Sequence, residues 1–371
     1  MINRALGRVA GAVHAAWDAS QRHRTLGAMA RLLKHHTMEI IAVLCLLALV
    51  LAVNPAALGG VFARTDVALV LLMLPVTIGT YLARSLGWWF TLRRVGVDVD
   101  IPHSVAVEFA GQTMVFMPTG DLARIALIKE VTGTPRTSGE LTATIAFQEL
   151  LFMTLMGLGV LPRVARHPDI ALLVIAMVLI HLLILTVIIW KPAYDWAIGL
   201  VEKVKLLRRF DSQLRSIRPA FVELLHLRVV VPVLLCNALA VFLSYLLFYL
   251  ALHAVGANQV SFIAAMFVLA LSFVISGISL IPGGVGLFEG LLTVLVIANG
   301  VPVAAGAAAG LLFRGFNDVL MAGMGAVFLV LIRRGHLHEA PSRRRGAASG
   351  ETSTARSSAG TPRESQEARR A

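Results

Sequence analysis

Four places in this sequence set charged side chains inside stretches that are otherwise apolar. Arg314 is followed by Asn317 and Asp318, Glu289 lies in the apolar stretch before it, Glu149 stands beside Gln148, and Arg84 falls near the end of another stretch. A charge at the centre of a membrane helix costs about 2.5–3.5 kcal/mol on insertion scales, so one that persists there faces protein or water. Arginines so placed suit an anionic headgroup, and a neighbouring carboxylate suits charge balance while the site is empty. The bland reading of Arg314 is an i, i+4 pair with Asp318 that neutralises both. The third charge, Glu289, weighs toward function. Arg84 is expected to snorkel or to stack on Trp88 one turn away, a structural role. Glu149 reads as a lone buried carboxylate with no assigned role.

A second signal is broken backbone. The run Ser279–Gly286 carries Pro282, Gly283, Gly284 and Gly286, and the run Val115–Asp121 carries Pro118 and Gly120 with Arg124 soon after. Both share an apolar-Pro-x-Gly core, and Glu289 follows its proline much as Arg124 follows its own. Unwound backbone at membrane depth is tolerated where it is buried in protein or lines a cavity. Paired interruptions in two halves of a chain point to a midplane site and suggest an internal repeat. The candidate binding residues are therefore Pro118, Gly120, Arg124, Pro282, Gly283, Gly284, Gly286, Glu289, Arg314 and Asp318. Gly306 and Gly310 form a GxxxG step that reads as close helix packing.

The elements that must hold these residues are membrane helices. Of 371 residues, 57% are hydrophobic and 15% charged, outside the usual composition of soluble domains. The net charge of +12 lies between and beyond the apolar stretches, where anionic lipid headgroups are nearer partners than nucleic acid. At about 20 residues per crossing, spans are expected near Glu39–Leu58, Val67–Phe90, Leu141–Leu161, Ile170–Trp190, Val229–His253, Ser261–Ile281, Gly283–Ala298 and Val303–Ile332. Trp88 and Trp89 suit the headgroup boundary at the end of the second. Ile101–Val131 is left over and is expected to enter the membrane and return to the same side, turning near Pro118–Gly120. The fold class is thus an all-α polytopic membrane protein of about eight transmembrane helices plus a re-entrant or broken segment.

Arg93, Arg94, Lys129, Arg136 and the basic residues between Lys191 and Arg228 share one side, while the other side holds Arg64, Arg163 and Arg166. The positive-inside rule puts the first group, and both termini, in the cytosol of an inner or plasma membrane. Residues 1–36 read as a basic cytosolic arm, 37–332 as the membrane domain and 333–371 as a disordered basic tail. Between Lys191 and Arg228, apolar residues such as Leu214, Ile217, Phe221 and Leu224 recur at helical spacing, which predicts an amphipathic helix resting on the cytosolic leaflet. Cys45 and Cys236 sit in apolar runs without metal-ligand spacing, and no cofactor is expected.

The run Pro282-Gly283-Gly284-Val285-Gly286-Leu287-Phe288-Glu289-Gly290 resembles the signature of the lysylphosphatidylglycerol synthase transmembrane family, the flippase-like domain proteins. The Phe116–Arg124 stretch is similar to a second segment of that family, and Arg314 matches an arginine in its last span. Met153 stands where the family often has an acid, and no stretch could fold as the soluble aminoacyltransferase domain of lysyl-lipid synthases. The resemblance implies a stand-alone, non-catalytic module that translocates or exposes a lipid or polyprenyl-linked substrate, with an anionic headgroup and an envelope-biosynthesis enzyme as partner. Two other classes stay open at this point: an intramembrane lipid-modifying enzyme and a non-transporting accessory subunit. Against the enzyme, the sequence has no HExxH, no GxSxG and no acid cluster suited to metal-dependent phosphoryl transfer.

Overall fold

The computed structural model describes residues 55–114, 120–164, 168–203, 211–278 and 286–334. The expected N-terminal arm, most of the first span, nearly all of the tail, and Pro118, Pro282, Gly283 and Gly284 lie outside the described residues. Among the described residues, the helices of eight residues or more are α1 (Pro55–Phe62), α2 (Val67–Arg94), α3 (Ile101–Gly111), α4 (Gly120–Thr132), α5 (Ser138–Leu158), α6 (Pro168–Ile189), α7 (Lys191–Glu202), α8 (Asp211–Leu224), α9 (Leu227–Ala254), α10 (Phe262–Ile278), α11 (Leu287–Ile297), α12 (Val303–Arg314) and α13 (Met321–Arg333). A π-helical turn, Gly315–Leu320, joins the last two into one continuous rod. The chain is an all-helical, polytopic membrane protein. Among the described residues, four helical stretches are long and apolar enough to cross a bilayer, namely Val67–Arg94, Ser138–Arg163, Leu227–Ala254 and Val303–Arg333; α6 and α7 form a bent pair, turned by 94°.

Local sequence explains where these helices start. The Asp66 carboxylate accepts from the backbone N–H of Ala68 and Leu69 (2.9 and 3.3 Å), capping α2. Thr137 and Glu140 form a reciprocal capping box at the head of α5. Asp100 caps α3 by accepting the His103 N–H at 2.9 Å, with Pro102 inside the first turn.

The bundle has two poles. At one, the Asp66 N–H donates to Ala254 O, Arg163 to the Asn299 side chain and Gln259 to Gly300 O. At the other, Arg94 approaches Glu223, Thr137 meets Ser216, and Arg218 donates to Ile189 O. Helices α3 and α4 form a hairpin based at the second pole, as Ile101–Val131 was expected to do. Glu108 pairs with Arg124 across it, and Lys129 near its base donates to Ser138. Helices α10 and α11 form a second hairpin based at the first pole. Gln259 before it and Gly300 after it are hydrogen-bonded, and the Phe273 and Phe288 rings meet near its tip (centroids 6.3 Å apart). Two separate crossings were expected for α10 and α11. Instead α11, at 11 residues, rises only about 16 Å, half of a hydrocarbon core of about 30 Å. The glycine- and proline-rich run between them lies outside the described residues, and the shortness of α11 carries the difference.

The two halves repeat. Helix α9 begins and ends 160 residues after α2, and both have 28 residues. Each is followed by valine and a glycine with positive φ, Gly96 (+79°) and Gly256 (+83°), a conformation costly for residues with a Cβ. The next N–H then reaches back identically, Val97 to Leu92 O and Ala257 to Leu252 O, closing each helix. A hairpin and a crossing helix follow in both halves. Because the hairpins are based at opposite poles, the repeat is inverted.

Two further expectations change. Trp88 is fully buried rather than at a headgroup boundary, and its indole N–H donates to Thr144 Oγ1 at 3.0 Å. Helix α2 continues past it to Arg94, which carries Trp88 into the interior. The amphipathic connection is two helices, α7 and α8. The apolar edge of α8 buries Phe221 and Leu224 against the bundle, with Phe221 stacked edge-on to Phe147 (5.4 Å). It therefore packs on protein where a leaflet was expected. Gly306 and Gly310 do face a neighbour closely, Val296 and Leu292 of α11.

Candidate functional site

Each half buries an ion-pair network where its hairpin meets its long helices. In the first half, Arg124 on α4 is 1% exposed, held by the Glu108 carboxylate of α3 and lying 3.4 Å from Glu149 Oε1 of α5. Its guanidinium lies over the Trp88 ring, 5.5 Å from the centroid. Gly111 makes this possible, because a Cβ there would collide with the Arg124 stem. Arg84 on α2 pairs with Glu149 and sits 3.6 Å from Glu108 Oε1, so two arginines and two carboxylates alternate. Each charge thereby has two opposite neighbours, which offsets the cost of burial.

This corrects two expectations. Arg84 neither snorkels nor stacks on Trp88: it lies ten residues inside the end of α2, about 15 Å along the axis, and stacks on Phe152 at 4.7 Å. Glu149 is not a lone carboxylate, since it receives both Arg84 and Arg124.

In the second half, Gly286 is the cap that precedes α11, and its N–H donates to Glu289 Oε2 at 2.6 Å. The other Glu289 oxygen accepts from Arg314 Nε at 2.6 Å, and Arg314 Nη1 pairs with Asp318. Both readings of Arg314 therefore hold geometrically: it has its intrahelical partner and the third charge as well. Asn317 Nδ2 donates to Asp318 Oδ1 (2.7 Å), and the Arg314 guanidinium covers the Phe288 ring at 4.8 Å. The π turn begins directly after Arg314. Its wider winding carries Asn317 and Asp318 onto the same wall as the arginine, and π turns recur at functional sites. Tyr81 OH, from α2, donates to the Asn317 carbonyl at 2.8 Å and ties that turn to the first half.

The two networks are related by the repeat with their signs exchanged. Arg124 and Glu149 are 25 residues apart, and so are Glu289 and Arg314. Arginine on the hairpin and carboxylate on the crossing helix in one half become carboxylate and arginine in the other.

Between the networks lies a cavity of about 350 Å³, lined by residues of both hairpins. Arg84 and Glu149 reach it from the first half, Arg314 and Asp318 from the second, and Phe152, Phe273, Phe288 and Phe313 supply apolar walls. Gln112, just after α3, and Gly277, near the end of α10, also border it. Of the candidate binding residues named from sequence, Arg314 and Asp318 line the cavity, together with Arg84, Glu149 and Asn317 from the other charged places. Glu289 (2% exposed) and Arg124 sit behind the wall, each gripping a residue that lines it. Gly120 and Gly286 begin α4 and precede α11; Pro118, Pro282, Gly283 and Gly284 lie outside the described residues. Sequence reasoning missed Glu108 and Tyr81, and it singled out Arg84 but gave it only a structural role at a helix end. Glu108 carried a usable signal, as a carboxylate in an apolar segment whose hairpin brings it opposite Arg124.

No curated protein matches the chain. The family model described as the lysylphosphatidylglycerol synthase TM region matches residues 39–325, a range that contains every helix above through the π turn. The signature run, the charges it orients and this match agree, and the chain belongs to the lysylphosphatidylglycerol synthase transmembrane family.

Proposed function

We propose that the protein translocates, or exposes to the opposite leaflet, a lipid or polyprenyl-linked molecule with a phosphate-bearing headgroup. The observation that carries this reading is the mid-depth cavity with a guanidinium from each half, Arg84 and Arg314, on its wall. Arginine forks match phosphate oxygens in geometry and charge. Four phenylalanines on the same wall suit the carbon chain next to a headgroup, and an inverted repeat with broken helices is a common transporter plan. Glu149 and Asp318 hold the arginines in place while no headgroup is bound.

The reading is of transport rather than catalysis. The carboxylates at the cavity are each committed to an arginine, which suits recognition more than proton transfer to a substrate. Orientation follows from charge: Arg93, Arg94, Lys129, Arg136, Arg218, Arg228, Arg333 and Arg334 belong to the second pole, whereas Arg64 and Arg163 belong to the first. The second pole is thus cytosolic in an inner or plasma membrane, with anionic lipid around it and an envelope-biosynthesis enzyme as a partner. Reconstitution into liposomes containing fluorescent phosphatidylglycerol, followed by quenching of the outer leaflet, tests the reading. Faster loss of the protected fraction with protein than without supports it, and equal rates contradict it.

A further inference from the structure

The repeat is not matched in every position, and the mismatch is electrical. Among the described residues, the first-half network contains two arginines and two carboxylates, Arg84, Arg124, Glu108 and Glu149. The second-half network contains one arginine, Arg314, between two carboxylates, Glu289 and Asp318. Asp318 is the additional group. At the position the repeat pairs with it stands Met153, which lines the same cavity without charge.

The surplus is deeply placed. Glu289 and Asp318 side chains are 2% and 4% exposed, and Arg314 is shared between them. The other groups facing this trio are Tyr81 and Arg84 on α2, Glu149 on α5, Ser244 on α9, Ser276 on α10 and Asn317 on the π turn, with Glu108 and Arg124 behind them. The cations in that set are already engaged by carboxylates. A phosphate arriving on Arg314 would add a second negative charge to a trio that already carries one, in a setting where uncompensated charge is expensive.

We propose that headgroup binding is coupled to uptake of one proton by the Glu289/Asp318 pair, so that transport is proton-linked. The inference rests on the transport reading above. As the headgroup phosphate takes over the Arg314 guanidinium, one carboxylate loses its partner and binds a proton from the water filling the cavity. When the headgroup leaves, Arg314 returns to both carboxylates and the proton is released on the side to which the cavity is then open. One proton is bound and one released per cycle, with no other bond made or broken. Met153 in the first half means that the proton site has no counterpart there, so the coupling resides in the second half.

Short-chain dihexanoyl phosphatidylglycerol in neutral detergent micelles provides the probe. For the wild-type protein its affinity should weaken tenfold for each pH unit above neutrality, and a pH-indicator dye in weak buffer should register close to one proton taken up per protein on binding. Asp318→Asn and Glu289→Gln each remove the surplus charge, so either variant that folds should show affinity independent of pH and no proton uptake. A pH-independent wild-type affinity, or a slope that persists in the variants, overturns the coupling. If the labelled lipid still crosses liposomes under those results, transport stands without proton linkage; absence of both binding and crossing overturns both readings.

Discussion

Arg124 Nη2 lies 3.4 Å from Glu149 Oε1, and Arg314 Nε lies 2.6 Å from Glu289 Oε1, with the same sequence separation in both pairs and the signs reversed. A hairpin and a crossing helix are locked together in each half by one ion pair at mid-depth. Loosening one lock and tightening the other would exchange the roles of the halves, which is how inverted repeats give access to two sides of a membrane.

The enclosed Glu108/Arg124 pair of the first-half network should be structural in its response to mutation. Glu108 and Arg124 are almost wholly enclosed, so Glu108→Gln or Arg124→Leu leaves an uncompensated buried charge or an unfilled partner, at a cost of about 3–5 kcal/mol. Abundance and thermal stability in detergent should fall for each single change. The double change Glu108→Leu with Arg124→Leu should recover much of the loss, as removal of both partners can.

The second-half network should behave differently, because Arg314 borders an open cavity. Arg314→Ala leaves Glu289 and Asp318 without their cation, so abundance should fall in part, but translocation per folded protein should slow by about tenfold or more, the scale of losing a charged hydrogen bond. A loss of protein matched by the loss of transport, reversed in Glu289→Gln with Arg314→Gln, would instead mark the pair as structural.

Most of the crossings were legible from length and apolarity, because residues such as Val67–Arg94 and Leu227–Ala254 need nothing else to specify a membrane helix. The second hairpin was harder to recognise. Phe262–Ile278 is as apolar as a span, and only its pairing with the 11-residue Leu287–Ile297, with Gln259 and Gly300 joined at the first pole, sets it apart from one. Within the site, Arg314, Asp318 and Glu289 were readable because isolated charges in apolar helices are costly. Arg84 was not, since its depth depends on where α2 ends, and the turns that follow Trp88 and Trp89 extend that helix to Arg94. Glu108 needed a tertiary fact, the antiparallel packing of α3 on α4.

The pole assignment can be tested by labelling. In a background without Cys45 and Cys236, single cysteines at Asn258 and Asn299 should react with an impermeant thiol reagent from outside intact cells, and cysteines at Asp98 and Arg334 only after permeabilisation. Reversed labelling at both pairs would reject the cytosolic placement of the second pole.

The inverted hairpins make a sharper prediction. A cysteine at Gln112 or Gly277 should react slowly with a small permeant reagent, and phosphatidylglycerol should protect it, because both residues border the cavity. Rapid reaction of Gly277→Cys with an impermeant cytosolic reagent would mean that the second hairpin crosses fully.

The central claim is that guanidinium groups from both halves handle one headgroup. It is tested most directly by leaflet-specific quenching of fluorescent phosphatidylglycerol in liposomes containing wild-type protein, Arg84→Ala or Arg314→Ala at equal reconstituted amounts. The account predicts rapid exchange for the wild type and exchange near the protein-free rate for both variants. Wild-type liposomes no faster than empty ones, or variants as fast as wild type, would contradict it.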